Sequence, residues 1–140
     1  LRLGHRFYSD SFGVTGNTTT VEYVIPRSNG WTVTPTMRYH TQSAAKFYYD
    51  PVYDPVLGAP FPPGYATNPN GLYSADQRLS AFGAVSIGIR VSKAMEGGWL
   101  ADFRADYYQQ RGQWRLLGTG SPGLAPFSAL LLQAGVNKTF

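Results

Sequence analysis

The side chains of this chain that could do chemistry are nine charged or titratable groups that recur at alternate positions. They are Arg2, Arg6, Glu22, Arg38, His40, Arg90, Asp102, Arg104 and Asp106. Alternate residues of a strand share one face of a sheet, so these groups share faces wherever their segments are extended. A charged face turned toward a lumen could select solutes by sign, as charged rings do in pores. It could also form an interior salt-bridge network, because unpaired buried charges are costly. The pattern leaves both interpretations open.

No spacing in the sequence indicates a catalytic set. Ser11, Ser43 and Ser128 lack the His–Asp arrangement that would activate a nucleophile. The segment 118–123, Gly-Thr-Gly-Ser-Pro-Gly, is not followed by the Lys of a phosphate loop. His40, the one histidine among the nine groups, could bind a ligand or transfer a proton, but the simpler interpretation is a solvated polar side chain. We therefore expect that the protein is not an enzyme.

The acidic residues around the proline-rich segment do not have metal-site spacing. Asp50, Asp54 and Asp76 could offer carboxylates to Ca²⁺, but no Asp-x-Asp-x-Asp-Gly pattern is present. Asp50 and Asp54 each precede a proline, which is typical of a turn start. The chain has no cysteine, so thiolate sites are excluded. We expect neither a metal nor an organic cofactor.

Six segments of apolar and polar alternation must position the charged groups. They cover residues 1–8, 20–25, 31–40, 78–91, 99–108 and 130–140. Strict alternation indicates strands with two different faces. The pattern predicts an all-β fold, an antiparallel transmembrane β-barrel with about six strands in this chain. Pro35 lacks the N–H that a ladder needs and predicts a bulge or an edge position, whereas Phe47 and Tyr49 suggest that the third segment continues.

The connections between these segments alternate in length. Residues 26–30 and 94–98 are tight turns, whereas 10–17, 50–72 and 112–126 are long. Outer-membrane barrels have short periplasmic turns and longer extracellular loops. If Phe140 ends in the periplasm, both tight turns lie there too, and 50–72 is a long extracellular loop.

Aromatic residues occur at two levels of the predicted barrel. Trp31, Trp99 and Phe140 fall at the periplasmic rim, and Tyr39 and Tyr107 each follow their tryptophan by eight residues. Eight residues at about 3.3 Å, tilted near 45°, rise roughly 19 Å. That rise fits inside an apolar band about 25 Å tall, so these five residues are predicted to form the membrane girdles.

The composition agrees with a strand-built membrane protein. Aromatics make up 15% of the chain, ten of them Tyr, and charged residues only 14%, against about 25% in soluble domains. Mean hydropathy is −0.23, but a barrel hides its hydrophobicity because only alternate residues face lipid. The net charge of +4 is carried by scattered residues, so no nucleic-acid partner is expected.

The 140 residues are expected to form one domain that is the C-terminal part of a longer chain. Single-chain barrels have at least about eight strands, and hydrocarbon does not tolerate unpaired strand edges. The sequence begins within a strand pattern, without Met or a signal peptide. Missing upstream strands, the simplest interpretation, or several chains sharing one barrel would each complete the structure, and a strand count that is two short would also explain the shortfall.

Three segments carry a family resemblance. They are 5–14 (His-Arg-Phe-Tyr-Ser-Asp-Ser-Phe-Gly-Val), 31–49 with its Thr-Pro-Thr-Met-Arg-Tyr-His core, and 73–82 (Tyr-Ser-Ala-Asp-Gln-Arg-Leu-Ser-Ala-Phe). Together they resemble the C-terminal half of an uncharacterised Gram-negative outer-membrane family known only as a domain of unknown function. The resemblance implies a porin-like barrel larger than 140 residues, and it supplies no catalytic residues.

We therefore expect an outer-membrane protein of a Gram-negative bacterium, acting as a porin-like solute channel or a structural barrel of the cell surface. Its expected partners are the lipid bilayer, the barrel-assembly machinery through the strand of Phe140, and a cell-surface protein or a second copy. One alternative is a binding or anchoring module that uses the Tyr- and Pro-rich outer loops. Another is a soluble lipocalin-like barrel with its apolar stripes inside, which the two aromatic levels disfavour.

Overall fold

A computed structural model describes residues 1–50, 62, 67, 68 and 70–139. Phe140 and most of the 50–72 segment, including Asp54, lie outside the described residues, and so do the predictions that rest on them. The described residues form seven strands: β1 Arg2–Ser9, β2 Thr15–Glu22, β3 Ile25–Pro26, β4 Trp31–Gln42, β5 Phe82–Ala94, β6 Trp99–Arg111 and β7 Phe127–Lys138. Short 3₁₀ turns occur at Ser28–Gly30, Gln77–Leu79, Glu96–Gly98 and Gly112–Trp114, and no α-helix occurs in the described residues.

The strands form one antiparallel sheet in the order β1-β2-β4-β5-β6-β7, with β3 also paired to β4. Apart from the short β3, which follows β2 along the same edge of β4, neighbours in the chain are neighbours in the sheet, and the all-β antiparallel prediction is confirmed. The predicted closure into a barrel is not found within the described residues, because β1 and β7 each have only one strand partner there.

The count is seven rather than about six because Pro35 interrupts one ladder. Thr20 pairs with Arg38, and Ile25 pairs with Val33, so β2 and β3 share one register along β4. Between them, the Tyr23 amide donates to the Pro35 carbonyl at 3.1 Å, but proline has no N–H to return the bond. The expected bulge or edge position is therefore wrong: Pro35 lies inside a central strand and costs one ladder bond.

The register extends each sequence alternation across the whole sheet. One row runs through Leu3, Val21, Met37, Ile87, Tyr107 and Leu130. The parallel row one residue away runs through Arg2, Glu22, Thr36, Gly88, Asp106 and Leu131. A slip of one residue would exchange the faces, so this register defines an apolar face and a polar face.

Two tight turns of the same geometry join strands at one end of the sheet. The Arg27 amide donates to the Trp31 carbonyl, and the Met95 amide to the Trp99 carbonyl, each at 2.8 Å. Gly98 has φ +76, and a Cβ added there would lie 2.6 Å from the Thr139 carbonyl oxygen. Glycine is therefore required by both the backbone conformation and the neighbouring strand.

The described parts of the three connections between β1 and β2, β4 and β5, and β6 and β7 meet at the opposite end, where the small core lies. Phe82, Ala84 and Leu124 form its buried cluster, with Tyr108 packed against it. Strand β4 ends at Gln42, so the suggested continuation through Phe47 and Tyr49 is wrong. Phe47 instead makes an edge contact with Phe12, with ring centroids 5.5 Å apart, and so ties the first two connections together.

Candidate functional site

The polar face of the sheet encloses a cavity of about 910 Å³. Thr20 and Glu22 of β2 line it together with Leu131 and Gln133 of β7. Those strands are four steps apart in the sheet, roughly 19 Å if it were flat. Because both line one cavity, the sheet must curl, with its polar face on the concave side.

All nine charged or titratable residues predicted to share a face do lie on this polar face. Paired positions across the strands give the order Arg2–Glu22, Arg6–Thr18–His40, Arg38–Ser86–Tyr108, and Arg90–Arg104, with Asp102 and Asp106 in the same alternation. The sequence pattern missed the apolar part of this face. Phe127 and Leu131 of β7 are exposed on this face. The run 129–132 is apolar at every position, so β7 presents apolar side chains on both faces.

Three of the five arginines on the polar face are paired with carboxylates. Arg104 Nε lies 2.6 Å from Asp106 Oδ2, and Arg90 Nη2 lies 3.6 Å from Asp102 Oδ1. Arg2 Nη1 approaches Glu22 Oε2 at 3.9 Å across β1 and β2. These contacts use all three carboxylates of the face, which leaves two of its five arginines without an ion pair in the described residues.

Arg6 and Arg38 have no carboxylate within ion-pair distance among the described residues. They line one cavity of about 260 Å³ at the loop end of the polar face. Thr18, His40 and Gln42 line it as well, and none of them is an acidic residue. Side chains of three strands thus converge on a cavity that has positive charges and no carboxylate in its lining.

His40 is fixed by hydrogen bonds that assign its ring protons. The Gln42 amide nitrogen donates to the Arg78 and Ser80 carbonyls, each at 2.8 Å. Its oxygen, 3.2 Å from His40 Nε2, must therefore accept, which places a proton on Nε2. The other ring nitrogen, Nδ1, lies 2.8 Å from the Thr18 hydroxyl. His40 is thus a rigid wall of the cavity, and its ring nitrogens are engaged by neutral partners.

Four of the five predicted girdle residues, Trp31, Tyr39, Trp99 and Tyr107, lie on the apolar face. Lys93 Nζ lies 5.1 Å from the Trp31 ring centroid, and Lys138 Nζ 5.1 Å from that of Trp99. Such cation–π contacts let a lysine stem cover apolar surface while its charge stays near water. Lys93 also donates to the Asn29 carbonyl, so each Trp–Lys pair lies beside a tight turn.

At the loop end, Tyr39 and Tyr107 differ in their surroundings. The Tyr39 hydroxyl donates to the Trp114 carbonyl, and that carbonyl packs directly against Gly83, where any side chain would collide. Tyr107 is exposed over about half of its surface. The strand pattern did not predict that residues 112–114 fold back over the apolar face. The one local indication is Gly83 of β5, which leaves room for the Trp114 carbonyl.

Asp50 and Asp76, two of the carboxylates named above for Ca²⁺, each accept hydrogen bonds from neighbouring loop residues. Asp50 Oδ1 accepts from the Tyr48 hydroxyl at 3.0 Å and from the Gly123 amide at 3.1 Å, which joins two connections. Burial, followed by the bond to Asp50, raises the pKa of Tyr48 to about 12. Hydrogen bonds from Arg78 hold the pKa of Asp76 at about 2. Within the described residues no cluster of three metal-ligating side chains occurs.

The described residues include no helix that is long and apolar enough to span a membrane. The fold and the site define an open, curled antiparallel meander with one apolar face and one charged, concave face. The chain belongs to the DUF3570 family, whose description is a protein of unknown function, and the match covers residues 1–131. This agrees with the expected membership of an uncharacterised domain family. No curated protein and no solved structure matches the chain.

Proposed function

We propose that this chain forms part of the wall of an outer-membrane β-barrel that passes small polar solutes, in the manner of a porin. The observation that carries the proposal is an exposed apolar face opposite a concave, charged face. In the row through Met37, the side chains of Leu3, Ile87 and Leu130 are 72%, 59% and 66% exposed. A soluble protein rarely exposes a continuous apolar patch of this extent, whereas lipid would cover it.

The apolar face forms a band with two polar borders. At the loop end the row through Tyr39 contains His5, Thr19, Gln109 and Ser128. At the turn end the band stops at the Trp31–Lys93 and Trp99–Lys138 pairs. Aromatic and basic side chains favour the interface between hydrocarbon and water, so both borders support a membrane-spanning band.

The stagger of the aromatic residues gives a strand tilt. Trp31 pairs with Lys93, which pairs with Ala101, so Trp99 lies two residues from the Trp31 row over two strand steps. If both tryptophans lie at one membrane depth, two residues (about 6.6 Å) against two strand spacings (about 9.6 Å) give a tilt of about 35°. Transmembrane barrels have tilts of about 35–45°.

The direction of curvature favours a membrane barrel over the lipocalin-like alternative. In a lipocalin-like barrel the apolar stripes would line the concave side. Here the concave side carries Arg38, Arg104 and Asp106, and the convex side carries the exposed apolar rows. In hydrocarbon the edges of β1 and β7 that have no partner among the described residues would each require a further strand, supplied by another part of the barrel or by a second copy.

Detergent extraction and bilayer conductance test the proposal on the full-length protein. We expect the protein to stay with the membrane pellet after carbonate washing, to require detergent for release, and to conduct in a planar bilayer. Release without detergent would refute the membrane assignment. Membrane retention without conductance would refute the channel and leave a structural or anchoring barrel.

A binding or anchoring module at the loop end is the second candidate function. Leu117 is 97% exposed and adopts a positive φ of 57°, a strained conformation for a leucine. Its neighbour Leu116 is 59% exposed. An apolar tip held outward in this way favours contact with a partner, and a Leu116/Leu117 double Ser variant that still conducts but loses cell-surface complexes would support it.

A further inference from the structure

We propose that the cavity lined by Arg6 and Arg38 binds a small oxyanion such as phosphate, sulfate or a carboxylate. The inference deepens the proposed function, because it names the class of solute that the concave face would attract. The inference rests on the proposed channel only for the route by which the anion reaches the site. Binding itself depends on the residues that line the cavity.

The charge distribution of the polar face carries the proposal. Five arginines and three carboxylates lie on this face, which leaves an excess of two positive charges. Three arginines are within 3.9 Å of a carboxylate. The two without one in the described residues, Arg6 and Arg38, are the pair that share the cavity of about 260 Å³. The excess charge of the face is therefore concentrated at one place.

Nearby carboxylates have other partners. Asp10 adjoins the cavity through Tyr8, but its oxygens accept from the Tyr8 hydroxyl at 2.9 Å and the Val14 amide at 3.0 Å. Glu22 lies beside Arg2. An anion entering the cavity would therefore not have to displace an existing ion pair of Arg6 or Arg38.

The remaining lining suits an oxyanion in its chemistry and size. Guanidinium groups bind planar and tetrahedral oxyanions with paired N–H donors. The Thr18 hydroxyl is already hydrogen-bonded to His40 Nδ1 at 2.8 Å, so it holds the cavity wall and the two arginines supply the donors. Hydrogen bonds hold His40 against Gln42, and the cavity of about 260 Å³ has room for one phosphate. Because the site lies on the concave face, a free solute rather than a lipid headgroup is its ligand.

The test compares three arginine variants of the full-length protein, each losing one positive charge from the same face. Arg6→Gln and Arg38→Gln remove the proposed ligands, whereas Arg90→Gln removes an arginine paired with Asp102. Binding of inorganic phosphate is followed by calorimetry in detergent, and ion selectivity by reversal potential under a KCl gradient. Heat-modified migration on gels checks that each variant folds.

We expect the Arg6 and Arg38 variants each to weaken phosphate binding by about tenfold, the lower end for a charged hydrogen bond, and to shift selectivity toward cations. The Arg90 variant should change binding by less than about twofold, because that arginine lies outside the cavity. Equal losses in all three variants would assign binding to net charge and overturn the site. A conducting wild type that binds no phosphate would also overturn it, while leaving the channel intact. Phosphate binding by a protein that does not conduct would keep the site and reject the channel.

Discussion

Met37 and Thr36 are adjacent residues on opposite faces of the central strand β4. Replacing each in turn with arginine tests whether the apolar face contacts lipid, as proposed, or water. Met37 is 50% exposed on the apolar face. Thr36 pairs with Glu22 and Gly88 on the concave face. The two variants add the same charge and side chain one residue apart, so each controls for the other.

The structure sets the expected size of the effect. Met37 lies six residues beyond Trp31, which at about 3.3 Å per residue and a tilt near 35° is about 16 Å above the tryptophan. That depth is within a few ångström of the middle of a band about 25 Å tall, where arginine costs about 2–4 kcal/mol. Met37→Arg should therefore lower the folding equilibrium in lipid by roughly 30- to 1,000-fold. Thr36→Arg gains a position near Glu22 and should stay within about 0.5 kcal/mol of wild type.

The assay is urea unfolding of the full-length protein in phospholipid vesicles, followed by tryptophan fluorescence, with the same titration in water. A large loss for Met37→Arg and none for Thr36→Arg would support lipid contact. If both variants unfold at the wild-type midpoint, or if Thr36→Arg is the more harmful of the two, Met37 does not face hydrocarbon and the assignment of faces to solvents is wrong.

Three further changes test the fold. Gly97→Ala should lower the free energy of unfolding by about 1–2 kcal/mol through positive-φ strain. Gly98→Ala should lower it further, since of these two glycines only Gly98 faces a carbonyl oxygen at 2.6 Å. Equal urea midpoints for the two variants would contradict this. Pro35→Ile should restore the return bond to Tyr23 and stabilise by about 1 kcal/mol, measured as a raised midpoint, and an unchanged or lower midpoint would mean that the ladder gap has another cause. The raised pKa of Tyr48, about 12, stabilises the folded state below pH 10 and ceases to do so as pH rises from 10 to 12. Tyr48→Phe should remove that alkaline loss from a stability–pH profile, and a profile identical to wild type would count against the buried hydrogen bond.

Alternation in the sequence was sufficient to predict the two faces, because side-chain direction in a strand depends only on position parity. Arg38 and Met37 lie on opposite faces as the pattern requires. The ends of the strands were harder to predict, because they depend on contacts between connections. Thr15 begins β2 five residues earlier than the pattern indicates, since its amide bonds the Ser43 hydroxyl at 2.8 Å. No local signal in either segment reports that contact.

Convergence across strands was not predictable from one sequence. Arg6 and Arg38 are 32 positions apart in the chain and share a cavity only because β2 holds β1 and β4 in one register. Pro35 shows the same limit, since the residue opposite a proline decides whether its missing N–H creates a bulge or only removes a bond. Pairing register, and not composition, determines both outcomes.

Pairing also decides which charges a solute would meet on the concave face. Arg104 and Asp106, 2.6 Å apart, present a dipole whose field falls off faster than that of a single charge. Screening in salt, with a Debye length of about 8 Å at physiological ionic strength, further weakens such a pair at a distance. Arg6 and Arg38 have no such partner in the described part of the chain. Selectivity by sign would therefore depend on the place of two arginines and not on the total charge of the wall, which is why Arg90→Gln and Arg38→Gln should differ although each removes one charge.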